Sequence, residues 1–156
     1  RATMPIADLG KITAEPTDPS PGLSRGELLT EFTDTTVKTL LAETILPLNG
    51  VQIRHLGGAL ALPSDTPHGA LTEPYSIYLF ATLTEPRAAT AIRDRQQELV
   101  TALVPHVGSR KPLTYLTGGE TAAAAFRPDA LARLRAIKRD RDPHGVFRSN
   151  FPVLAG

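Results

Sequence analysis

The chain has 156 residues, and 17 Lys and Arg against 16 Asp and Glu leave a formal net charge of +1. That length suits one domain with one core, and 41% hydrophobic with 21% charged residues describes an ordinary globular chain rather than a disordered one. Balanced charge argues against electrostatic capture of nucleic acid or an acidic membrane, no apolar run approaches the roughly 20 residues of a spanning helix, and zero Cys removes disulfides and thiolate chemistry.

Residues 1–22 are punctuated by Pro5, Pro16, Pro19 and Pro21 and read as an extended arm. Ser24 with Glu27 three residues on is a capping-box pattern, which predicts a helix entering Leu28 and Leu29. Asp34 is a second N-cap candidate, followed by Val37, Leu40 and Leu41 at helical spacing. Val51 to Leu56 reads as a strand running into Gly57-Gly58, with Gln52 and Arg54 on one face and Val51, Ile53 and His55 on the other. Residues 61–74 carry three prolines and a glycine and form a loop. Tyr75 to Thr84 is the strongest strand, rich in β-branched and aromatic residues. After Pro86, the residues Ala88, Ile92, Leu99 and Leu103 line one side of a long helix that ends before Pro105.

Leu113 to Leu116 reads as a short strand before Gly118-Gly119. Pro128 opens the last helix, with Leu131, Leu134 and Ile137 inward and Arg133, Arg135, Lys138 and Arg139 outward. Asp142-Pro-His-Gly145 ends it in a turn, and an extended tail runs from Val146 to Gly156. Strands that follow one another without a helical crossover predict an α+β fold, an antiparallel sheet covered by helices.

Three sequence features invite chemistry. Gly22-Leu-Ser-Arg-Gly26 matches the G-x-S-x-G nucleophile elbow, but the elbow needs a strand immediately before it, and Pro-rich chain stands there instead. His55, His68, His106 and His144 show no metal-ligand spacing, so no metal is expected. The basic residues between Arg127 and Arg141 form a solvated helix face without the interleaved aromatics of a single-strand binder. What remains is the polar side of the sheet. Gln52 and Arg54 share a face, as do Ser76, Tyr78 and Phe80, and Tyr115 stands nearby; such a face suits either a ligand-facing wall or a solvated surface.

Five segments keep their order and spacing: Val51-Gln-Ile-Arg-His-Leu-Gly-Gly-Ala59, Thr66-Pro-His-Gly69, Tyr75-Ser-Ile-Tyr78, Tyr115-Leu-Thr117, and Arg133-Leu-Arg-Ala-Ile-Lys138 with Asp142-Pro-His-Gly-Val-Phe-Arg-Ser-Asn150. Together they resemble the C-terminal part of FAD-linked oxidases of the berberine-bridge-enzyme-like group. The closing segment is the most specific, and Glu15-Pro-Thr-Asp-Pro19 in the arm also looks familial. The resemblance implies a sheet that roofs the flavin ring and forms the substrate cavity. It further implies that the FAD-binding domain of the same polypeptide is the partner and that this chain, beginning at Arg1, is a fragment inactive without it.

Carried over residue by residue, the resemblance implies that Gln52, Arg54, Tyr78 and His68 bind a small organic substrate. Its reaction would be oxidation by hydride transfer to flavin. Tyr115 matches the Tyr of the group's Tyr-x-Asn and is the candidate base or base partner. The alternative is that it only packs beneath the flavin edge. A phenol serves as base at neutral pH only with help, here from the flavin or from a cation such as Arg54. Thr117 replaces the Asn of that motif and lacks its amide, while Asn150 keeps the terminal Asn. These two are the cofactor-contact candidates. A cytoplasmic setting and a homodimer through an exposed face bearing Tyr115, Phe147 and Phe151 are also expected. A different class of function stays open, namely a standalone α+β module that binds a small ligand or a protein without redox activity.

Overall fold

The computed structural model describes residues 3–8, 10–13, 18–42 and 44–155. Arg1 and the run 15–17 of the arm motif lie outside them. Strand β1 spans Gly22–Leu29, β2 Gly50–His55 and β3 Tyr75–Thr82. They form one antiparallel sheet in the order β1-β3-β2. Helices α1 (Gly10–Thr13), α2 (Asp34–Leu41), α3 (Ala88–Ala102) and α4 (Pro128–Arg141) complete the chain. The α+β antiparallel class expected from the sequence is the observed one.

Strand β3 is central and pairs along its length with β1, from Gly22 opposite Thr82 to Leu29 opposite Tyr75. Its alternation sorts the molecule. Ile77, Leu79 and Ala81 point to the helical side, where they pack with Leu29, Ile92, Leu99, Val100 and Leu103 in the main core. Ser76, Tyr78 and Phe80 point to the opposite side. Helix α3 covers the core side as its Ala88, Ile92, Leu99 and Leu103 spacing predicts. Buried Gln96 of that helix donates its amide to the Leu23 and Leu79 carbonyls and so ties α3 to both strands.

Three predicted elements are corrected. The arm, read as extended over residues 1–22, carries a 3-10 turn at Ile6–Asp8 and helix α1 at Gly10–Thr13. Residues 24–29, read as a capped helix, are strand β1. Pairing with β3 gives every backbone group of one edge a partner, and this tertiary ladder overrides a local capping signal. Ser24 therefore stands mid-strand, which removes both the helix cap and the nucleophile elbow. Residues 113–115, read as a strand, form a 3-10 turn whose Tyr115 amide donates to the Pro112 carbonyl. Helix α2 starts one residue earlier in its capping than expected. Thr33, not Asp34, is the cap, its hydroxyl accepting from the Thr36 amide while the Thr36 hydroxyl accepts from the Thr33 amide. Leu41 of the same helix is exposed rather than inward.

A second, smaller core gathers Leu116, Ala122, Ala125, Phe126 and Leu131, with Leu134, Phe151 and Val153 packed against it. Ile137, expected inward, is exposed and takes no part in either core. Two of the four cations expected outward hold that tail instead. Arg135 donates from Nε to the Val153 carbonyl at 2.7 Å, and Lys138 binds the Asp142 carboxylate and the Phe147 carbonyl. Asp142 also accepts from the Val146 and Phe147 amides at 2.8 and 3.0 Å, and Gly145 takes φ +65° to close the turn. The Lys138 and Asp142 motif is thus a clamp that reverses the chain at the end of α4.

Candidate functional site

The sheet face away from α3 forms the floor of a cleft of about 710 Å³. Gln52 and Arg54 reach it from β2, Tyr78 and Phe80 from β3, Ser24 from β1, and Thr114 and Tyr115 from the 3-10 turn. Arm residues Asp18, Pro19 and Ser20 line its other end. Register brings these side chains together, since Tyr78 on the central strand faces Gly26 on one side and Gln52 on the other.

Tyr115 enters from outside the sheet, and Gly26 admits it. A Cβ at position 26 would collide with Cγ and Cδ2 of the Tyr115 ring, so the ring lies directly on the β1 backbone. A glycine inside a strand marks such close approach. From there the Tyr115 hydroxyl lies 3.3 Å from the Ser76 hydroxyl, and its ring centroid lies 6.0 Å from that of Tyr78. Gly50 seats the Phe80 ring in the same way, and Phe80 stacks beside Tyr78 at 6.3 Å with planes 24° apart. The result is a continuous aromatic floor of Tyr115, Tyr78 and Phe80.

Arg54 stands over Tyr78, the middle ring of this floor. Its guanidinium carbon lies 5.7 Å from the Tyr78 centroid, a cation–π distance, and Nη2 donates to Gln52 Oε1 at 3.0 Å. The face grouping of Gln52, Arg54 and Tyr78 read from period two is the observed arrangement, and Tyr115 joins it.

Below the turn that carries Tyr115 lies a buried ion network. Lys111 places Nζ 2.9 Å from Glu27 Oε1 and 2.7 Å from Glu120 Oε1. Glu27 also accepts from Arg25 Nε at 2.9 Å. Glu120 Oε2 accepts from the amide and hydroxyl of Thr117 at 2.7 and 3.0 Å. Burial pushes the Glu120 carboxyl up, but hydrogen bonds from Lys111 and Thr117 outweigh it and hold the group below its ordinary value. This network pins both ends of the 111–120 segment, and so fixes the turn that presents Tyr115.

Three other sequence candidates lie elsewhere. The His68 ring packs edge-on to Phe126 at 6.4 Å with Nε2 3.3 Å from the Lys111 carbonyl, beside the second core. Thr117 has its amide and hydroxyl engaged by Glu120 and lines a smaller groove of about 360 Å³ with Arg25, Arg93 and Gln97. Asn150 is exposed on the tail. The sequence reading missed the Lys111 network, whose bonded partners lie up to 84 residues apart, and Asp18. A glycine between Arg25 and Glu27 could have signalled the Tyr115 seat, but only once that segment was known to be a strand.

No protein-family model and no curated protein sequence matches the chain. Solved structures do. A variant of BBE-like 1 from Physcomitrella patens superposes with a TM-score of 0.72 at 14% identity, over 94% of this chain and 34% of that one. The wild-type BBE-like 1 gives 0.69 at 14% identity with the same coverage. This chain has a berberine-bridge-enzyme-like fold. A variant of Phl p 4, described as a glucose oxidase, gives 0.67 at 16% identity over 85% of this chain and 32% of that one. The berberine-bridge-enzyme-like unit seen here spans about a third of the length of these neighbours. No helix among the described residues is long and apolar enough to cross a membrane.

Proposed function

We propose that this chain forms the substrate-binding wall of a flavin-dependent oxidoreductase whose FAD is held by a companion domain of the same polypeptide. One observation carries the proposal. Gln52, Arg54, Tyr78 and Tyr115, which the motif resemblance singled out, converge on one cleft of a fold shared with BBE-like enzymes. The open aromatic floor of that cleft suits one face of a flat ring system and a substrate lying beside it. Among the described residues the cleft lining contains no glycine-rich loop at a helix start that would cradle a pyrophosphate, so the dinucleotide phosphates belong to the companion.

Bound flavin supplies the electron acceptor for substrate oxidation. The residues of this chain do the rest of the work on the substrate. Tyr78 and Phe80 give it a stacking surface, and Arg54 with Gln52 orients its polar group. The Tyr115 hydroxyl, paired with Ser76, stands where a substrate proton can be taken or relayed.

The test joins the chain to its FAD-binding companion and supplies FAD. The expected product carries flavin that its substrate reduces, and Tyr115→Phe slows that reduction at least tenfold without changing flavin content. A joined protein that binds no flavin at saturating FAD overturns the proposal. A second reading then gains weight: a small-ligand-binding module without redox activity, in which the aromatic floor and Arg54 hold the ligand by themselves.

A further inference from the structure

The charge pattern of the cleft narrows what it binds. Among the described residues two charged side chains line it, Arg54 and Asp18. The ion pairs of the described residues do not join the two. Among the described residues Arg54 contacts no carboxylate. Its contacts are the neutral amide of Gln52 and the face of Tyr78.

A guanidinium has five N–H donors in a planar fork, and Gln52 takes only one of them. Gln52 and Tyr78 hold the group in place while leaving the rest of the fork free to accept a bidentate anion. Next to it the aromatic floor continues through Tyr78 to Phe80, whose ring planes differ by only 24°. A flat ring laid on that floor carries its substituent toward Arg54.

We infer that the ligand of this cleft is a planar aromatic or conjugated acid, its ring on Phe80 beside Tyr78 and its carboxylate on Arg54. The inference rests on reading the cleft as the substrate site and adds the chemical class of that substrate. The pair of probes is 2-naphthoate and its neutral isostere 2-naphthamide, followed by naphthalene emission anisotropy, which no Trp of the chain obscures. Amide shifts in nuclear magnetic resonance spectra locate the binding.

The acid is expected to bind at least tenfold tighter than the amide and to shift Gln52, Tyr78 and Phe80. Arg54→Gln should abolish that preference, weakening the acid at least tenfold so that acid and amide bind alike, with the unfolding midpoint unchanged. Equal binding of the two probes overturns the inference, as does a preference that survives Arg54→Gln or shifts confined to other parts of the chain. The oxidoreductase reading fails separately, by absence of flavin in the joined protein. Equal binding of acid and amide within the cleft would leave that reading standing and remove only the anionic class.

Discussion

At Gly26, a single missing methyl group decides where Tyr115 sits. The ring occupies the space a side chain at 26 would take, and the hydroxyl reaches Ser76 only from that seat. Gly26→Ala should expel the ring and lose about 1–3 kcal/mol, the usual cost of overpacking. Urea unfolding reads the loss, and disappearance of the Tyr115-to-Tyr78 contact in nuclear Overhauser spectra reads the displacement. A variant with full stability and an unmoved ring would show that the strand can shift to admit a Cβ. No pattern of polar and apolar residues announces such a seat. Gly26 and Tyr115 are far apart in sequence, and the glycine's meaning appears only when the two segments are laid together.

Elements were legible where their own periodicity set them and illegible where a distant partner did. The Tyr75 strand and the 88–102 and 128–141 helices carry strong patterns and formed as expected. Strand β1 was hidden because Ser24 and Glu27 mimic a capping box, while the deciding interaction is a ladder to distant residues, from Gly22 opposite Thr82 to Leu29 opposite Tyr75. Charged residues on β1 deepened the disguise, since Glu27 is buried only because Lys111 and Arg25 reach it. The α4 clamp was legible as a turn but not as a clamp. Hydrogen bonds from Lys138 and from the Val146 and Phe147 amides hold the Asp142 carboxyl below its ordinary value of 3.8. A depressed carboxyl contributes stability above its unfolded value and loses it as pH falls through the folded one. The tail should therefore stay docked at neutral pH and detach from α4 as pH drops below about 3.8. Amide shifts of Val146 and Phe147 followed against pH report the release, and Asp142→Asn should remove the acid-dependent step.

At the scale of the molecule, one of the three side chains expected on an exposed face, Phe147, is there. Phe147 is 76% exposed and Val146 73%, whereas Phe151 packs on the second core and Tyr115 is half-buried in the cleft. Such side chains on a chain spanning a third of its structural neighbours favour association. Light scattering at rising concentration should show a dimer or larger species, and Phe147→Ser should shift it toward monomer. A wild-type chain that stays monomeric throughout would count against this surface as a contact.

The alternation of β3 has one further consequence. Ile77 and Leu79 hold the core, while Tyr78 and Phe80 line the cleft and Ser76 bonds the Tyr115 that enters it; Ala81, at the end of the strand, is the one core residue of β3 that also borders the cleft. Recognition and folding are written on the same eight residues in interleaved alphabets. Selection, natural or in the laboratory, can rewrite every second letter to change what the cleft accepts and leave the fold's own text intact. Inserting or deleting one residue in the strand would exchange the two texts and erase both.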